Sequence, residues 1–171
     1  MRMPIFFCAL LLSLTLFASS SDAKLFYSSI DFTDNEISRL SMEEYRVYDL
    51  VNRVRAKNNL NFLIWDERLA AVARSFSSQM ASAGFFKHQG IDGKMVQDRA
   101  NEAGIRNWRK IGENLFYARD VDEYSPLAVR MWMESDSHRE NILDRGWTAA
   151  AVGIAVAEDG KVYVTHIYIQ R

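Results

Sequence analysis

The chain has 171 residues, 49% of them hydrophobic, with two prolines, one cysteine and a formal net charge of −1. This length and apolar content suit one compact domain around a single substantial core. The near-neutral balance supplies no cationic face, which argues against nucleic acid or an anionic membrane surface as partner, since both draw their affinity from such a face.

The N-terminal residues MRMPIFFCALLLSLTLFASSSDA join Arg2 to an apolar run from Pro4 to Ala18, then turn small and polar toward Ala23. They read as a signal peptide over residues 1–23, with Ser21-Asp22-Ala23 ahead of Lys24 as the cleavage site. The run is too short to span a bilayer comfortably, and charges interrupt every later apolar stretch, so no membrane anchor is expected. Export to the medium or the periplasm is the expectation. Cys8 falls inside the run, so a mature chain of about 148 residues would hold no thiol for a disulfide or a nucleophile.

Residues 24–40 are polar and mixed without a clear period, and read as an N-terminal arm. Ser41 and Glu44 then have capping-box spacing, and Val47, Leu50, Val51 and Val54 follow on one helical face that ends near Asn58-Asn59. Asp66 is placed to cap a second helix, with Leu69, Val72, Ala73, Phe76 and Met80 as its apolar stripe and Gly84 as its stop. A glycine-containing loop carries His88, and a short helix follows that ends at Gly104. The aromatic and β-branched content around Gly112 predicts a strand or extended chain. Ser125-Pro126 predicts a helix start, with Ala128, Met131, Trp132 and Ser135 on one face, followed by a short helical turn through SHRENIL. Finally AVGIAV and KVYVTHIYI flank Glu158-Asp159-Gly160 as a β-hairpin. Helices ahead of a terminal antiparallel pair predict an α+β domain over residues 41–171.

The chain has no H-E-x-x-H, no G-x-S-x-G, no phosphate-binding glycine loop and no dinucleotide fingerprint. Its three histidines are His88 in F-F-K-H-Q-G, His138 in W-M-E-S-D-S-H-R-E-N-I-L, and His166 in the last strand. Between the first two stands I-G-E-N-L at 111–115, and ahead of them stand N-R-V-R and W-D-E-R-L. These ordered segments, from about Glu44 to Ile169, resemble the bacterial, cysteine-free branch of the CAP superfamily (cysteine-rich secretory protein, antigen 5 and pathogenesis-related 1; the SCP-like domain).

The resemblance implies a three-layer α-β-α sandwich with a small antiparallel sheet, and an open cleft holding two histidines and two acidic residues. Carried over residue by residue, it gives His88, Glu113 and His138. The fourth place, three residues after the helix tryptophan, is Ser135 in this sequence, and Glu134 is turned about 100° from that face. Two imidazoles and one carboxylate suit zinc with a fourth position left for water, so His88, Glu113 and His138 form the candidate metal set and Zn2+ the candidate cofactor. The same groups also suit a metal-free hydrogen-bond network.

His166 reads as a packed strand residue, Asn114 and Asn141 as structural bridges, and Trp132 as core. Phe85, Phe86, Phe116 and Tyr117 are open between lining the cleft and packing beneath it. Two functions stand side by side. One is an exported, monomeric binding module for a small apolar ligand, a peptide or an envelope component. The other is a zinc-assisted peptidase or other hydrolase working through the same cleft.

Overall fold

A computed structural model describes residues 20–171, with side chains from Ser38 onward. The apolar run of the expected signal peptide, with Cys8, lies outside the described residues. Two units are distinguished, one ending at Glu36 and the other spanning Ile37–Arg171, and the second contains all of the strands.

In chain order the elements are α1 (Ser20–Lys57), β1 (Ile64–Trp65), α2 (Glu67–Ala83), α3 (Val96–Glu102), β2 (Lys110–Ala118), α4 (Tyr124–Glu134), α5 (Asp136–Leu143), β3 (Ala149–Val156) and β4 (Val162–Gln170). The sheet order is β1-β3-β4-β2, with β2 and β3 both antiparallel to β4. The expected hairpin is therefore its centre, closed at Gly160 with φ +79°. The two-residue β1 adds a parallel pair with β3, which sequence reading missed.

Both faces of the sheet are covered, and alternation along the strands decides what each residue meets. Ala150, Val152 and Ile154 of β3, with Val164 and Tyr168 of β4, pack against Val47 and Val51 of α1, Trp132 of α4 and Ile142 of α5. Ala149 and Ala151, with Ile167 and Ile169, turn the other way onto Leu69, Ala70, Val72 and Ala73 of α2 and Val96 and Ala100 of α3. The result is the three-layer α-β-α sandwich. Among the described residues, no helix is long and apolar enough to cross a membrane.

Helix α2 forms as its sequence dictates. Asp66 accepts hydrogen bonds from the backbone N–H groups of Arg68 and Leu69, and Gly84 ends the helix in the left-handed region at φ +65°. It lies very close to the sheet at Gly153, where a Cβ would fall 2.0 Å from the Arg74 nitrogen and 2.2 Å from the Ala73 carbonyl carbon. Only glycine permits that approach.

Three expectations are corrected. Residues 24–40 are helical within α1, and Ser41 and Glu44 lie inside that helix rather than at its start, because no glycine or proline interrupts the chain between Lys24 and Lys57. Glu44 is instead buried, accepting from Arg74 at 2.7 Å and from the Ile154 N–H at 3.1 Å. Ser125 lies within α4 and bonds the Glu43 carboxylate instead of capping. Met131 is half exposed, whereas its expected face-mates Ala128 and Trp132 are buried.

Candidate functional site

The G-E-N-L segment occupies β2, an edge strand, and its alternation sends adjacent side chains to opposite layers. Glu113 turns toward the α2 and α3 layer, where the His88 loop begins just after the Gly84 stop. There His88 Nδ1 lies 2.8 Å from Glu113 Oε1. Asn114 turns toward α5, donating from Nδ2 to the His138 carbonyl at 3.0 Å and accepting at Oδ1 from Asn141 at 2.9 Å. Asn141 also donates to the Glu113 carbonyl at 3.3 Å, and Trp132 Nε1 donates to the Leu115 carbonyl at 2.8 Å. Gly112 completes the packing, since a Cβ there would come within 3.0 Å of the Trp147 ring.

His88 is about half exposed while Glu113 is buried. With a carboxylate oxygen at Nδ1, the hydrogen-bond network assigns that nitrogen a proton. In the neutral ring Nε2 is then left as the acceptor. His138 is half-buried on α5, and its ring is held below the usual histidine range first by burial and then by the charge of His88.

The residue that sequence reading missed is Arg99. Its guanidinium is buried, donates from Nη2 to Glu113 Oε2 at 2.6 Å, and donates from Nη1 to the carbonyls of His88 at 3.2 Å and Lys94 at 2.9 Å. Its carbon lies 3.4 Å from the centroid of the Phe76 ring, a cation–π contact. A signal for it existed in the sequence. Arg99 shares the buried face of α3 with Val96 and Ala100, and a buried charge requires a partner.

The loop between His88 and α3 is closed by the Gly90 N–H donating to Lys94 O at 2.9 Å and by Gln89 donating to Gly93 O at 3.0 Å. Asp98 starts α3 by accepting from the Met95 N–H at 2.9 Å. The His88 loop is thus fixed at both ends.

The expected zinc set does not fit this donor arrangement. One Glu113 oxygen faces His88 Nδ1 and the other a guanidinium, so the carboxylate presents no free oxygen to a cation. Among the described residues, no three His, Cys, Asp or Glu side chains gather closely enough to hold a metal ion. Ser135 is half-buried at the α4–α5 junction, where its N–H donates to the Trp132 carbonyl at 3.3 Å, and its hydroxyl has no hydrogen bond to His88, Glu113 or His138. His166 is completely buried in the core, with rings of Tyr168 at 4.1 Å and Trp132 at 5.7 Å between centroids.

The four aromatic residues divide. Phe116 is core, and Phe85 packs on Phe76, while Phe86 and Tyr117 are exposed with ring centroids 4.7 Å apart. Tyr117 also stacks on Tyr163 at 6.1 Å. Tyr163 lines a groove of about 610 Å³ between the end of α2 and the β3–β4 hairpin, walled by Ser78, Ala81, Ser82, Gly84 and Ala155. An aromatic row therefore runs from the groove to the loop that carries His88.

The sequence profile of the cysteine-rich secretory protein family, CAP, matches residues 48–169. The chain belongs to the CAP family. Two Bacillus subtilis proteins resemble it: the uncharacterized protein YkwD, 31% identical over 77% of this chain and 49% of its own length, and the uncharacterized membrane protein YlbC, 32% identical over 75% and 34%. This CAP chain spans half or less of the length of either. Among solved structures, an extracellular SCP-domain protein of Bacillus anthracis is 27% identical, with TM-score 0.64 over 77% of this chain and 41% of that one. An outer surface protein of Borrelia burgdorferi, 19% identical with TM-score 0.68 over 76% and 93%, shares the CAP fold.

Proposed function

We propose that this is an exported CAP-domain binding module, taking an elongated and partly apolar ligand of the cell exterior, of which an extended peptide fits best. The row Phe86, Tyr117 and Tyr163 carries the reading, because it runs from the groove to the loop that carries His88. Small apolar walls at Ala81 and Ala155 suit alternate side chains of a peptide, and the hydroxyls of Ser78 and Ser82 suit its amide groups. At the far end His88 Nε2 accepts a ligand N–H or O–H, and Glu113 and Arg99 hold the ring in place. The bacterial neighbours described as extracellular or outer-surface proteins agree with the export expected from residues 1–23.

The test is a titration of the 15N-labelled chain with a pooled heptapeptide library, read at the two cleft imidazoles and at the Tyr117 amide. Saturable shifts, with the peptides recovered at unchanged mass, are expected. Peptides recovered as fragments, with cleavage lost in His88→Ala, would replace binding by hydrolysis. No shift at any of the three positions would remove the reading altogether.

A further inference from the structure

We infer that Arg99 is a built-in cation occupying the place a metal would need at Glu113, so that the cleft works without a metal and the guanidinium positions His88. This goes beyond the ligand reading and does not depend on which ligand is bound.

Three observations meet here. The Arg99 and Glu113 side chains are 7% and 2% exposed, so their pairing at 2.6 Å is sheltered from competing water and salt. The guanidinium is also held by two carbonyls of the His88 loop and by the Phe76 ring, so moving it aside would break several contacts together. The other Glu113 oxygen and His88 Nδ1 are committed to each other at 2.8 Å. A divalent ion on the remaining imidazole nitrogens would therefore lack a carboxylate ligand unless it broke this buried pair, and stranding the guanidinium would be costly.

The three hydrogen-bonding partners of Arg99 belong to separate pieces of chain: the start of the loop at His88, its end at Lys94, and strand β2 at Glu113. One side chain therefore sets where the His88 ring lies, which makes Arg99 a positioning residue. A lysine has the charge but not the planar fork that reaches these partners at once.

Two measurements test this on the full chain. The first is calorimetric titration with zinc chloride, followed by the same titration of Glu113→Gln and of His88→Ala. Expected is no zinc uptake at micromolar levels, or uptake that both variants leave unchanged and that therefore lies outside the cleft. Uptake of one zinc per chain, lost in either variant while it remains folded, would overturn the inference. The second follows the His88 Nδ1–H resonance by NMR in Arg99→Lys. Its loss, with the Asn114 side-chain amide signals kept, is expected, and an unchanged resonance in a folded variant would overturn the positioning role. If Arg99→Lys does not fold, the zinc titration of the unaltered chain still decides.

Discussion

Glu113 and Asn114 are neighbours on β2 that serve opposite layers of the sandwich, the first receiving the His88 ring and the second the His138 carbonyl. Two histidines 50 positions apart in the sequence are thereby referred to a single dipeptide. Asn114 is fully buried and bonds His138, Tyr168 and Asn141, so Asn114→Ala would leave several polar groups unsatisfied. We expect a loss of about 2–4 kcal/mol in urea unfolding, with the His138 resonances displaced. A loss below about 0.5 kcal/mol, within the range of an ordinary surface change, would contradict the anchoring role.

The buried Arg99–Glu113 pair predicts strong non-additivity. Glu113→Leu alone strands a guanidinium, and Arg99→Met alone strands a carboxylate, each at a cost of about 3–5 kcal/mol. The double variant removes both charges and should recover much of that loss. Unfolding free energies from a double-mutant cycle check this, and additive losses would show that the two side chains act independently.

At Gly153 the expectation is steric. A methyl group there meets the α2 backbone rather than a movable side chain. Gly153→Ala should therefore cost at least about 3 kcal/mol, or prevent folding, because α2 must lift from β3. A thermal midpoint equal to that of the parent chain would refute the close approach.

Acid stability should report His166. Burial lowers its pKa from 6.5 to about 3, with the Arg55 charge adding in the same direction, so the unfolded chain binds a proton that the folded chain refuses. The stabilisation is complete above the unfolded value and declines as pH falls below about 6.5, by up to about 1.4 kcal/mol per pH unit, until the folded pKa is reached. His138, also shifted downward, adds to the slope. Denaturant unfolding at pH 7 and pH 5 should give a smaller difference for His166→Phe than for the parent. Equal differences would assign the acid sensitivity elsewhere.

Legibility in the sequence followed the range of the forces involved. Helix α2 was readable because Asp66, Gly84 and the 3.6-residue stripe act within a few positions of one another, and the β3–β4 hairpin because its turn is local. The parallel partnership of β1 with β3 was not, since two residues carry no period and the pairing joins Ile64 to Ala149. The Ser41–Glu44 spacing suggested a helix start, yet Glu44 found a better use against Arg74 and β3. His88, Glu113 and His138 were named from motif resemblance, which carries positions but not bonding. Arg99 escaped because its role exists only once α3 is folded against the His88 loop.

The side-chain N–H groups of Asn141 and Trp132 that reach the Glu113 and Leu115 carbonyls do more than brace β2. They occupy hydrogen-bond acceptors along an outer margin of the sheet, at positions that a strand from another molecule would otherwise use to dock. The packing that holds β2 thus also discourages sheet extension from chain to chain, and loosening Trp132 would raise the tendency to aggregate.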